Sequence, residues 1–245
     1  MNGNATAAHC RTMLKQSQLV ERFLGRLDPE GMNAPLRLQF AAASRAVAVW
    51  RDQQARLDES CDQLVFLVSG STKLVAHASQ DREQVVAFHF EDDLVCVPAR
   101  VRHAYKLVAL RDANLVAMPY DKVIELGGRS PAILATLLQA TRASLARCRE
   151  KSIVLGRKAA PERVASLLVS MAGRVGNTDG KTVVLQLPMS RRDMADSLGI
   201  TIETVSRQLT LLRERGMIET VGRSQIRILD LHALTQGAGF MTGAG

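Results

Sequence analysis

The chain has 245 residues, 47% of them hydrophobic and only 4% aromatic, and carries a formal net charge of +8. That apolar content excludes disorder and suits two small domains with cores of Leu, Val, Ile, Ala and Met. The basic balance favours a polyanionic partner (nucleic acid, an anionic membrane face or acidic proteins) without choosing among them.

No apolar run approaches the ~18 residues of a spanning helix, and "MNGNATAAHCRTMLKQ" lacks the apolar stretch of a secretory signal. The expectation is a cytoplasmic chain with no membrane partner. Cys10, Cys61, Cys96 and Cys148 are widely separated and form no CxxC pair. They are expected to be buried or idle free thiols rather than a disulfide framework or a structural zinc site.

Residues 1–20 are small and polar without a clear period, and read as a flexible N-terminal arm. Residues 21–127 read as a β-roll, with β texture from about 36 to 120. "LVFLVSGSTKLVAH" reads as a hairpin turning at Ser-Gly-Ser, and "EQVVAFHF", "DDLVCVP", "AYKLVAL" and "ANLVAMP" follow as short strands. Many short strands at close spacing predict an antiparallel roll. The period then changes. Ser130 caps and Pro131 opens a helix over 128–156, which Gly156 ends. Leu134, Leu138, Thr141, Leu145, Cys148, Ser152 and Leu155 recur at alternating spacings of four and three, the seam of a coiled coil. Such a helix between two domains has one side left to cover, and a second copy of the chain is the expected cover.

Residues 157–245 read as a winged helix-turn-helix. "APERVASLLVSMAGRVG" is a helix with Val164, Leu167, Leu168 and Met171 inward, and "GKTVVLQLP" alternates as a strand. Ser190 and Asp193 fit a capping box, with Met189 and Met194 at staple positions. Ala195 permits close helix approach, Gly199 supplies a positive φ, and Thr201 caps the next helix. On that helix Ile202, Val205, Leu209 and Leu212 form the buried stripe. Glu203, Ser206, Arg207 and Thr210 form the opposite face. The plain reading of Glu203 and Arg207 is a surface i,i+4 pair worth ~0.3–0.5 kcal/mol. The alternative is a base-reading face: Arg207 donating to guanine O6 and N7, Glu203 accepting from cytosine N4, Ser206 against a base edge. The cap, small Ala195, turn glycine and basic chain favour DNA reading, because a helix-turn-helix places its second helix in the major groove. Ser190, Arg191, Thr201 and Thr204 join this face as candidate DNA contacts. "MIETVGRSQIRILD" reads as a hairpin wing, where Arg223, Ser224 and Arg227 are placed to touch phosphates.

"LPMSRRDMADSLGITIETVSRQLTLLRERGMIE" and "LGRKAAPERVASLL", with the weaker "LVSGSTKL" and "VVAFHFEDDL", resemble the Crp/Fnr transcription regulators. The order of roll, long helix and winged helix agrees along nearly the whole chain. The resemblance implies an α+β fold: an antiparallel, cyclic-nucleotide-binding-like roll, a long dimerisation helix and a winged helix-turn-helix. Glu203, Ser206 and Arg207 match the E-x-x-S-R run of the FixK and Fnr branch. That branch implies palindromic TTGAT-type half-sites bound by a homodimer, with RNA polymerase as a partner if the chain activates.

The known sensor chemistries of the family fit poorly. Oxygen sensors hold an iron–sulfur cluster on closely spaced N-terminal cysteines, and this chain has only Cys10 there. Cyclic-nucleotide binders carry a Gly-Glu pair and then Arg-Ser or Arg-Thr. Here the stretch reads "VCVPARVRHAYKLVAL", without Gly-Glu and with Arg102-His103, and Arg102 reads as a solvated surface residue. His77, His89 and His103 could each ligate haem iron, but no spacing singles one out. Two Cys148 thiols facing across a dimer axis would need a Cα separation of about 4.4–6.8 Å for a disulfide; a small seam residue is the plainer reading. No cofactor is expected. No paired carboxylates, nucleophile–base constellation or phosphate-binding glycine loop marks an enzyme. Any signal is expected to change the angle between the two domains near Gly156.

Overall fold

In the computed structural model, which describes residues 16–79, 82–99, 103–222 and 224–240, one long strand organises the N-terminal unit. Strand β2 (Gln63–Ser79) is unbroken, so the hairpin expected at Ser69-Gly70-Ser71 does not form. Its partner β5 (Tyr105–Pro119) joins "AYKLVAL" and "ANLVAMP" into one strand as well. The two pair antiparallel from Gln63↔Pro119 to Ala76↔Tyr105, with register shifts clustered around Gly70. Gly70 sits at φ +91°. A Cβ there would run into the Asp112 carbonyl oxygen and lie 2.8 Å from the Ala113 Cα. The Ser-Gly-Ser segment therefore absorbs a bulge rather than a turn.

Strands β1 (Arg45–Val49), β3 (Arg82–Phe90) and β4 (Leu94–Val97) complete the sheet, in the order β1-β5-β2-β3 with β4 on β2. Burial on both faces explains the continuous apolar run in β2. Leu64, Phe66 and Val68, with Val116 and Met118, pack under helices α1 (Gln16–Leu27), α2 (Ala34–Ala43) and α3 (Tyr120–Gly127) and the start of α4 (Pro131–Arg157). The alternate residues Val65 and Leu67, with Val95, Val97, Leu107 and Leu115, fill the other face.

Three sequence expectations change here. The arm expected over 1–20 overlaps α1, whose Leu19 and Val20 are buried; residues 1–15, Cys10 among them, lie outside the described residues. The β texture expected from 36 is helix α2, capped by Asn33, which accepts the Leu36 N–H at 3.0 Å. Gly156 does not end α4, which runs on to Arg157. The start of α4 is as expected, with Ser130 accepting the Ile133 N–H at 3.4 Å. The chain divides into two compact units between Ser144 and Leu145, inside α4.

The C-terminal unit comprises the end of α4, α5 (Ala160–Val175), α6 (Arg191–Leu198), α7 (Ile202–Glu214) and α8 (Leu231–Gly237). Its antiparallel sheet has the order β6-β7-β9-β8, from β6 (Gly176–Asp179), β7 (Thr182–Gln186), β8 (Ile218–Val221) and β9 (Gln225–Ile228). On α5, Val164, Ala165, Leu168 and Met171 are buried, while Leu167, expected inward, is half-buried. No described helix is long and apolar enough to cross a membrane. Cys61, Cys96 and Cys148 are free thiols, the first half-buried and the other two exposed.

Gly70→Ala is expected to destabilise the protein by about 2–4 kcal/mol, from a left-handed backbone plus overpacking against β5. A denaturant titration of the full chain checks it; a change below ~0.5 kcal/mol would mean that the bulge relaxes freely.

Candidate nucleic-acid interface

The helix pair is set by local hydrogen bonds. Asp193 N–H donates to Ser190 Oγ at 3.2 Å, and Ser190 N–H donates to Asp193 Oδ2 at 2.7 Å, closing the capping box on α6. Met189 and Met194 are both buried beside it. Gly199 ends α6 at φ +62°, and Ile200 N–H returns to the Ala195 carbonyl at 3.2 Å. A Cβ at Gly199 would have ordinary room, so the backbone conformation is what selects glycine. Thr201 then caps α7, accepting the Thr204 N–H at 3.2 Å, and the two hydroxyls lie 3.1 Å apart.

Val205, Leu209 and Leu212 seat α7 on its unit. Ile202, expected in that stripe, is only half-buried, and Gln208 takes a buried place instead. Glu203, Ser206 and Arg207 are exposed together, and Thr210 is half-buried beside them. Among the described residues no ion pair joins Glu203 to Arg207. Hydrogen bonds from its own backbone N–H and from the Thr201 side chain hold the Glu203 carboxyl below the usual carboxylate range. It is therefore ionised at neutral pH and can only accept hydrogen bonds.

Arg191 opens α6 and is half-buried. Burial pushes its guanidinium down, and its Nη1 is buried without a hydrogen-bond partner among the described residues. On the wing, β8 and β9 pair from Ile218↔Ile228 to Val221↔Gln225. Arg223 lies outside the described residues. Ser224 is half-buried, and its Oγ accepts from Gln186 Nε2 at 3.0 Å. Arg227, expected at phosphates, is paired with Glu219 across the hairpin at 3.2 Å.

On α4 the apolar seam residues Leu134, Leu138 and Leu145 are exposed by 40%, 62% and 48%. Thr141, Cys148 and Ser152 are exposed and Leu155 is half-buried. The two seam hydroxyls bond to their own helix, Thr141 to the Leu137 carbonyl at 2.8 Å and Ser152 to the Cys148 carbonyl at 3.0 Å. Ile153, absent from the expected seam, is also exposed. In the roll, His77 pairs with Glu83 at 3.2 Å, His89 is buried, and exposed His103 stands edge-on to Tyr105. Arg102 lies outside the described residues. Between Ala55, Leu57, Val97, Tyr105 and Leu107 the roll leaves a cavity of about 20 Å³, room for about one water, and a more open pocket of about 400 Å³ lies among Arg45, Arg56, Asp58, Gln63 and Pro119.

Sequence reasoning missed Lys151 and Arg163. Lys151 Nζ donates to the buried Ser197 Oγ of α6 at 3.0 Å. Burial pushes the Lys151 ammonium down to about 8, and Cys148 pulls it partly back. Arg163 donates to three carbonyls, treated below. Because Lys151 holds its proton less tightly folded than unfolded, the folded state gains stability as pH rises from about 8 towards ~10.4. Thermal melts between pH 7.5 and 9.5 are expected to show this gain, on the order of 2 kcal/mol, in the unmodified chain and not in Lys151→Met.

A family model for the Crp-like helix-turn-helix domain matches residues 162–236. The chain is 34% identical over 201 residues to the nitrogen fixation regulation protein FixK of Azorhizobium caulinodans, covering 82% of this chain and 81% of that protein. It is 35% identical over 208 residues to FixK of Rhizobium meliloti, covering 85% and 90%. The solved structure of FixK2 from Bradyrhizobium japonicum superposes with a TM-score of 0.69 at 28% identity, over 79% of this chain and 96% of that one. The chain belongs to the Crp/Fnr family of transcription regulators, in its FixK branch.

Proposed function

We propose that this regulator acts as a homodimer that places its two α7 helices in successive major grooves, on a palindrome of TTGAT-type half-sites. The observation that carries the reading is the exposed group Glu203, Ser206 and Arg207 on one face of a helix whose opposite face is buried. Arg207 reads guanine by a bidentate contact, and ionised Glu203 accepts from cytosine. Thr201, Thr204 and Thr210 flank the base-reading group. The Ser190 cap and the half-buried Arg191 meet phosphate beside it. On the wing, Arg223 and Ser224 touch the backbone. Arg227, held by Glu219, is left out of this set.

The exposed apolar stripe of α4 supports the homodimer. Leu134, Leu138, Leu145 and Leu155 supply its area, and Thr141, Cys148 and Ser152 fill between them. The two hydroxyls enter such a seam already bonded to their own helix, which removes the cost of burying them unpaired. If the chain activates transcription, RNA polymerase is its further partner.

Titration of the full chain against a labelled TTGAT palindrome and a scrambled duplex at fixed salt tests the reading. Selective binding without added ligand is expected; equal binding of both duplexes would overturn it. Within that system Arg207→Ala should lose about 1–3 kcal/mol of discrimination at one base pair of each half-site. Arg223→Ala should instead weaken all sequences alike and lower the salt slope by about one per protomer. Identical behaviour of the two variants across a panel of sites would sink this division of roles.

A further inference from the structure

The end of α6 is fastened to the end of α4. Lys151 Nζ donates to Ser197 Oγ at 3.0 Å, and Arg163 Nη1 donates to the Leu198 carbonyl at 2.9 Å. The other two arms of Arg163 hold the end of α4 and the residue just beyond it: Nη2 donates to the Leu155 carbonyl at 2.9 Å and Nε to the Lys158 carbonyl at 2.8 Å. The Leu155 side chain and Arg163 Nη1 both lie against Gly199. There is little slack beyond this point. Gly199 is fixed in the left-handed region, Thr201 is the cap, and α7 starts at Ile202.

The same turns of α4 carry the seam residues Cys148, Ser152 and Leu155, which belong to one compact unit with α7. These contacts therefore help to set the angle between seam and reading face. We propose that Arg163, assisted by Lys151 through Ser197, is the positioning residue that sets the separation of the two recognition helices and hence the half-site spacing the dimer accepts. This rests on the DNA-reading homodimer proposed above. Successive base pairs are about 3.4 Å apart, so a small rotation of α6 on α4 moves the reading face by a full step. Only a planar fork suits the task. An arginine reaches three carbonyls in fixed directions, whereas a lysine is a point charge on a flexible stem.

The test uses the full chain and duplexes with identical half-sites whose centre-to-centre spacing is native, one base pair shorter, or one or two longer. The unmodified protein should prefer one spacing. Arg163→Lys should reduce that preference by about tenfold, the size of one lost charge-assisted hydrogen bond. Discrimination at the Arg207 base pair should survive, because Glu203, Ser206 and Arg207 keep their helix. Ser197→Ala should act in the same direction more weakly, and it decides the matter if Arg163→Lys does not fold. The proposal is overturned if the spacing preference stays unchanged while the melting temperature falls, which is what a merely structural arginine would do. It is equally overturned if spacing and base discrimination are lost in proportion. If the unmodified protein does not distinguish the palindrome from scrambled DNA, the DNA-reading proposal has failed and this one falls with it.

Discussion

Three carbonyl oxygens converge on the guanidinium of Arg163, and the C-terminal unit is assembled around that point. Leu155 lies in the last turn of α4, Lys158 just beyond it, and Leu198 is the last residue of α6. Helix C-termini leave carbonyls without intrahelical partners and carry partial negative charge. One cation therefore satisfies two helix ends at once, through bonds of the charge-assisted kind. Arg163 itself stands in the first turn of α5, where a cation is disfavoured by that helix's own dipole. Its position makes sense through what it reaches, not through the helix it sits on. A second cation works beside it. Lys158, almost fully buried, bonds Ser166 Oγ at 3.0 Å, pairs with Glu150 and lies 3.9 Å from the centre of the Phe240 ring. Between them, Glu162 turns back to accept the Ala159 N–H at 2.7 Å.

With its base held in this way, α7 can leave one face unpaired. Val205, Leu209 and Leu212 are buried, while Arg207 has no partner among the described residues. An internal Glu203–Arg207 pair would be worth only a few tenths of a kcal/mol. It would have to be broken before either side chain met a base. Its own backbone N–H and the capping Thr201 hold the Glu203 carboxyl low without occupying Arg207. The helix N-terminus thus prepares one reading residue and leaves the other free.

What was legible in the sequence was local. The Ser190–Asp193 box, the Gly199 turn and the Thr201 cap each involve residues within five positions of one another, so spacing alone fixes their partners. Ser69-Gly70-Ser71 was misread because turn and bulge use the same residues. What decides between them is β5, some forty residues further on, pressed against Gly70 at Asp112 and Ala113. Helix α2 was misread for another reason. Leu36, Leu38 and Phe40 alternate like a strand, yet Leu36 and Phe40 are buried one helical turn apart and Leu38 is exposed. Asn33 and Pro35 carried the correct signal at its start. Arg163 was invisible because its partners are backbone carbonyls, which any residue supplies.

The same geometry bears on where a signal would act. The sequence placed a change of angle near Gly156, on the expectation that the helix stops there. Instead Gly156 is helical, with open space around its Cβ position. Packing therefore does not require glycine, and the position costs roughly 0.5–1 kcal/mol against alanine. Glycine lowers the resistance of α4 to bending at that residue. Yet the carbonyls on either side, Leu155 and Lys158, are both held by Arg163. Bending at Gly156 would have to stretch one of these bonds, and with it the grip on Leu198 that seats α6. Flexibility in the backbone and rigidity in the side-chain network thus meet at one turn. A motion of α6 against the end of α4 must strain the hydrogen bonds of Arg163.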